Sequence, residues 1–252
     1  LTDGDLKLSV DNAGMDVGGN ALMNGIGAEL AWRQNFAPKA PFLSRYRLKA
    51  EADARDWREK MGLDWPLVGA EVLSGPVGAE LALTRTRDAG GTAIADVDLD
   101  RANVSLGLLG WNKPPGERSR LSLEAAFRQS RITALPRISA EGAGLKFDGA
   151  AVFASDGKIA SARIAKLAVG ETDIAGAVFP RGSGWEIDIH GPKLDLKHWM
   201  EDKTPEDPNA RRGDALAVSV NGGRVRLYED RYLGSVSGAL NYDGLVWREA
   251  RL

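Results

Sequence analysis

Three aspartates fall at alternate positions in "ADVDLDR", Asp96, Asp98 and Asp100, and Glu186 and Asp188 repeat that spacing in "WEIDI". Alternate residues of a strand point to one face, so such carboxylates could serve as the acid and base of a glycosidase. A strand with one wet face gives the same pattern, and here the carboxylates alternate with Val97, Leu99, Ile187 and Ile189. The solvated-face reading outweighs the catalytic one. The chain has two histidines, His190 and His198, and no cysteine. Thiolate sites and disulfides are therefore excluded, and a histidine pair would need further ligands to hold a metal. His190 falls on the wet face with Asp188. Serine catalysis lacks its elbow: "GSVSG" puts Val236 where the nucleophile would stand. "NVS" at Asn103 is a formal glycosylation acceptor, relevant only in a eukaryotic secretory route.

Phosphate chemistry can be imitated too. "LGLLGWNKPPG", residues 106–116, brings glycines close to Lys113. A phosphate loop needs a Lys-Ser/Thr pair opening a helix. Here Pro114 and Pro115 follow the lysine and remove two backbone donors, and "ERSRLSLEAAF" alternates like a strand. The segment reads as a strand end and a proline-fixed turn. "GMDVGGNALMNGIG" leads into the alternating "AELAWRQNF" rather than a helix, so it reads as a β-hairpin and not a dinucleotide fingerprint.

The elements that must position these residues are mostly strands. Period two dominates "VGAELAL", "LSLEAAF", "LKFDGAAVF" and "WEIDI", each with one dry and one wet face. Short turns such as "RDAGGT", "ASDGK", "RGSG" and "NGG" separate them. At least a dozen strands are expected, joined as a meander of hairpins. The good helix candidate is "DARDWREKMG", with Asp53 as cap, Trp57 and Met61 one turn apart, and Gly62 as terminator. "DLKHWM" suggests one further helical turn before the charged, proline-containing stretch 201–213, and strands resume from 214 to 252.

One or two short helices cannot cover so many dry faces. Packing sheet on sheet is the commoner solution. A groove is the alternative, because "AAVFASDGKIASARIA" is rich in small residues that fill a closed core poorly. The tryptophans are scattered at element ends, which suits anchors at the rims of a core more than a stacking surface. With 252 residues, 27% charged, net charge −2 and pI about 5.8, the chain is globular and not nucleic-acid binding. No apolar run reaches the ~20 residues that span a bilayer. The chain opens on Leu1, so any signal or anchor is expected upstream of it.

"DVDLDRANVSLGLLGWNKPPGERSRLSLEAAF" resembles the AsmA-like proteins of Gram-negative bacteria, in particular their YhdP-type branch. The matching residues are Asp98, Leu99 and Ala102, then Leu109, Gly110, Trp111, Lys113, Pro114 and Gly116. "GPKLDLKHWM" resembles the family's strand that runs into a short helix, at Gly191, Leu194, Asp195 and Leu196, and the resemblance extends over residues 14–200. It implies an inner-membrane-anchored protein of the periplasm. Its long, strongly curved antiparallel sheet of stacked hairpins would form a trough carrying phospholipid acyl chains toward the outer membrane. It implies no catalytic residue, no metal and no cofactor. Contact with the membrane is implied through segments outside this chain, and with envelope proteins at the ends of the full-length protein.

The combined expectation is a mainly β, elongated and curved antiparallel sheet, trough-like, with one or two short helices. Residues 1–200 form one section, 201–213 a loop and 214–252 the next strands. Alternation assigns the groove lining to Leu81, Leu83, Val97, Leu99, Leu121, Leu123, Phe127, Leu145, Phe147, Ile187 and Ile189. A non-catalytic β-sandwich scaffold or binding module is the competing reading, with a carboxylate glycosidase third.

Overall fold

The computed structural model describes residues 2–62, 70–197, 214–228, 230–244 and 247–251. The fold is mainly β, its strands paired in open sheet, with one α-helix among the described residues. Contacts divide the chain into two compact units, residues 1–106 with 112–143, and residues 107–111 with 144–252.

The first unit holds strands β1 (Thr2–Val10), β2 (Gly14–Met23), β3 (Ile26–Asn35) and β4 (Ser44–Asp53), then helix α1 (Ala54–Met61). Strands β5 (Leu73–Ser74), β6 (Pro76–Arg85), β7 (Gly90–Asp98), β8 (Asn103–Leu106), β10 (Ser119–Arg128) and β11 (Arg131–Gly142) follow, with Asn112 and Lys113 of β9 (Trp111–Lys113). Its main sheet runs β1-β2-β3-β4-β6-β7-β10-β11, antiparallel throughout. β5 pairs with β8, Leu73 opposite Val104.

Turn chemistry explains the meander. Asn24 and Gly25 both take positive φ, 51° and 81°, between the paired residues Met23 and Ile26. That is the two-residue hairpin geometry that matches strand twist, so the glycine-rich segment is the hairpin its sequence predicts. Between β1 and β2 the Asp11 carboxylate accepts the amides of Ala13 and Gly14, both at 2.8 Å. These bonds hold the Asp11 carboxyl below its ordinary range.

Helix α1 is capped as its sequence predicts. The Asp53 carboxylate accepts the Arg55 amide at 2.9 Å. Gly62, at φ 66°, ends the helix in the left-handed conformation, its amide donating to Arg58 O. Trp57 and Met61 pack on Ile26, Ala28 and Ala50, and the Trp57 indole donates to Val77 O at 3.1 Å. The helix covers only this end of the sheet, where Ile26 is 2% exposed.

The second unit holds β12 (Leu145–Phe153), β13 (Ile159–Val169), β14 (Thr172–Arg181), β15 (Gly184–Asp195), β16 (Leu216–Tyr228), β17 (Arg231–Tyr242) and β18 (Trp247–Arg251), paired in chain order. Here the expectation of uniformly antiparallel hairpins is corrected: β15 and β16 are parallel, Ile187 opposite Val218. The 20 residues between the two strands exceed the dozen that a crossover requires, whereas the short turns between β12, β13, β14 and β15 make hairpins. Half-buried Asp195 and Arg226 pair at 3.2 Å across that parallel step. The expected helical turn at "DLKHWM" and the loop 201–213 lie largely outside the described residues.

Candidate functional site

Matched register turns alternation into continuous surfaces. Across β3, β4, β6, β7, β10 and β11, one row of directly opposed residues reads Leu30, Leu48, Leu81, Ala95, Leu123 and Ile138. A flanking row reads Ala28, Ala50, Ala79, Val97, Leu121 and Ala140, and the row on the other side begins Trp32, Tyr46, Leu83, Ala93. Trp32 and Tyr46 stack with ring centroids 5.6 Å apart. Because directly opposed residues share a face, all three rows make one apolar face. Of the two rows between them, one is polar, Glu29, Lys49, Glu80, Asp96, Ser122 and Ser139, and the other is mixed, Ala31, Arg47, Ala82, Ile94, Glu124 and Arg137.

The second unit repeats the device. Ala151, Ala162, Val178, Ile187, Val218 and Leu240 oppose one another across β12 to β17. Beside them run Gly149, Ile164, Gly176, Ile189, Val220 and Gly238. The glycines carry neighbouring rings: a Cβ on Gly149 would stand 2.8 Å from the Phe147 ring, and one on Gly91 would strike the Phe127 ring.

Burial separates this arrangement from a sandwich. Residues on facing sheets interdigitate and lose nearly all exposure. Leu30, Leu48, Leu83, Val97, Leu121, Leu123 and Phe127 are only half-buried, and Leu81 retains 37% of its exposure. Full burial on this face of the first unit is concentrated near α1, at Ile26, Ala28, Ala50 and Val77. Closed sheet-on-sheet packing is thus not the solution adopted there.

The structure places Leu81, Leu83, Val97, Leu121, Leu123 and Phe127 together on the apolar face of the first unit. It places Leu145, Phe147, Ile187 and Ile189 on the apolar face of the second. Leu99 lies beyond the end of β7, where its amide donates to Ser119 O.

The carboxylate runs go elsewhere. Asp96 and Asp98 are exposed on the polar face and line a hollow of about 790 Å³ with Glu29, Lys49, Glu80 and Arg120. A general acid at neutral pH needs a carboxyl raised by burial. In this hollow Lys49 bonds Glu80 at 2.6 Å and holds the Glu80 carboxyl below its ordinary range. Asp100 does not continue the row: it has left the strand, and its carboxylate accepts the Ser119 amide at 2.7 Å. Glu186 stands 3.7 Å from Arg181, and Asp188 accepts the Ser219 hydroxyl. His190 is exposed, opposite Ala175 and Asn221, and His198 lies outside the described residues. No three His, Asp or Glu side chains gather as a metal set among the described residues, and no helix among them is long and apolar enough to cross a membrane.

One residue matters more than its sequence reading suggested. Lys113 is fully buried, and its ammonium donates to the carbonyls of Leu99, Asp100 and Ala102 at 2.5, 2.9 and 2.9 Å. The lysine of "GWNKPPG" is therefore an internal staple that ties the end of β7 to the turn before β10. The signal was available: alternation through Trp111, Asn112 and Lys113 puts the lysine on the side of buried Trp111.

In comparisons with known proteins, no family model, curated protein or solved structure matches the chain.

Proposed function

We propose that the chain is a section of a periplasmic bridge-like protein whose apolar sheet faces carry phospholipid acyl chains between the inner and outer membranes. The observation that carries this reading is the register: apolar rows run unbroken across six strands in each unit, and in the first unit most of their side chains are half-buried rather than packed in a closed core. Transfer of an acyl chain from water onto such a surface gains up to ~0.8 kcal/mol per methylene. No polar contact is needed, so a tail can slide from row to row at nearly constant free energy. The Ala-rich rows keep the floor low, and Phe127 and Phe147 fill glycine positions beside it. The resemblance of "LGLLGWNKPPG" to AsmA-like proteins points the same way, with Lys113 stapling the segment that carries the motif. The protein would be anchored through segments outside this chain and would act without a catalytic group.

The test is mass spectrometry of lipid extracted from the chain after purification from a Gram-negative host without detergent. The reading expects phospholipid in stoichiometric amounts, reduced severalfold in a Leu81→Asp, Leu123→Asp double variant. A lipid-free preparation, or equal lipid in the double variant, would refute it.

A further inference from the structure

The face opposite the apolar rows carries its own feature in the first unit. Register aligns Lys7, Gly18, Ala31 and Arg47 across β1 to β4, and Ser9, Asp16, Arg33 and Arg45 in the adjacent row. Both rows line a hollow of about 820 Å³. Its floor is low because two small residues separate the cations: Ala31 is exposed, and a Cβ on Gly18 would meet only Leu30 O, at 3.8 Å. The backbones bearing Lys7 and Arg47 stand three strand spacings apart, about 14 Å, so the two long side chains flank the floor from opposite sides.

The charges here are not used up locally. Two neighbouring cations are paired, Lys49 with Glu80 and Arg101 with Glu51. In the hollow Arg33 is committed to Asp16 and Asn35. Among the described residues no ion pair holds Lys7, Arg45 or Arg47. Arg45 lies over the Phe42 ring, 4.3 Å from its centroid, a contact that leaves the N–H donors of a guanidinium free to bond an anion. Four cations and two carboxylates line the hollow, an excess of two positive charges.

We propose that this hollow binds a phosphate group. A phosphomonoester carries about −1.5 to −2 at neutral pH, which matches the excess. The fork of Arg47, the ring-braced fork of Arg45 and the point charge of Lys7 suit bidentate and monodentate contacts to its oxygens. The phosphate could belong to a soluble ester or to a lipid headgroup. The site lies on the face opposite the acyl-chain surface and stands or falls independently of that reading.

The experiment is titration of the whole chain with inorganic phosphate by calorimetry, paired with sedimentation on phosphatidylcholine vesicles with and without phosphatidic acid, whose phosphate is a monoester. Arg47→Gln and Lys7→Gln are each expected to weaken the interaction about fivefold, whereas Lys49→Gln, at a paired cation of the same face, leaves it unchanged. Binding of inorganic phosphate alone identifies a soluble ester as the source. Binding to phosphatidic acid vesicles but not to phosphatidylcholine alone, with the same variant pattern, identifies a headgroup. The proposal is overturned if neither probe binds, or if Lys49→Gln weakens binding as much as Arg47→Gln.

Discussion

Replacing Lys113 by Met removes the ammonium and keeps nearly the same buried volume, so the effect reports hydrogen bonding rather than a cavity. Of the three carbonyls the ammonium serves, two have other partners. Leu99 O also accepts the Ala102 amide at 3.0 Å, and Asp100 O the Gly116 amide at 2.8 Å. Ala102 O accepts no backbone amide from a turn or loop among the described residues, and Ala102 is fully buried. One orphaned acceptor costs ~1–3 kcal/mol, and the loss of two charge-assisted bonds adds to it, offset by not having to desolvate an ammonium. The net expectation is a loss of about 2–4 kcal/mol. Urea unfolding measures the total. Hydrogen exchange locates it: the Gly116 and Ser119 amides, both bonded to Asp100, should lose protection by one to three orders of magnitude. Amides of β13 and β14 should be unchanged. Lys113→Arg should not rescue, because a planar fork cannot place one nitrogen at the meeting point of three carbonyls. A loss below about 1 kcal/mol for Lys113→Met would refute the staple.

Two further perturbations test the frame. Gly91→Ala drives a Cβ into Thr84 O as well as the Phe127 ring, so it should destabilise by ~1–3 kcal/mol. Phe127→Leu should recover only part of that, since the carbonyl stays, and full rescue would show that the ring alone forbids the methyl. For Asp11, the folded carboxyl lies below its ordinary value, so its bonds to Gly14 and Ala13 stabilise the β1–β2 turn above the unfolded-state pKa and are lost as pH falls through the folded one. Acidification should therefore shift and expose the Ala13 and Gly14 amides, and Asp11→Asn should abolish that pH dependence. Amides that titrate identically in Asp11→Asn would assign the effect to another group.

Much of the fold was legible because its rules are local. Asp53, the Trp57–Met61 spacing and Gly62 specify α1 within ten residues. Asn24-Gly25 specifies a hairpin, and alternation specifies which side chains share a face. Leu81, Leu123 and Ile187 fall on apolar faces because antiparallel and parallel pairing both oppose like faces, so even the unexpected β15–β16 step preserves the rows. That parallel step was not legible, because direction depends on a long connection and not on the strands themselves. Asp100 and Lys113 were misjudged for a related reason. Asp100 leaves the alternating pattern and Lys113 keeps it, but they take partners 19 and 11–14 residues away, which spacing along one strand does not encode. The paired cations at Lys49 and Arg101, and the unpaired ones at Lys7 and Arg47, likewise depend on cross-strand register.

The central claim concerns which face meets lipid, and site-specific photo-crosslinking asks that directly. A crosslinking residue placed in turn at Leu123, Glu124, Phe147 and Lys146 samples both faces of β10 and β12 with neighbouring positions. The account predicts phospholipid adducts at Leu123 and Phe147 and only background at Glu124 and Lys146. Equal adducts at all four positions, or adducts confined to Glu124 and Lys146, would contradict it.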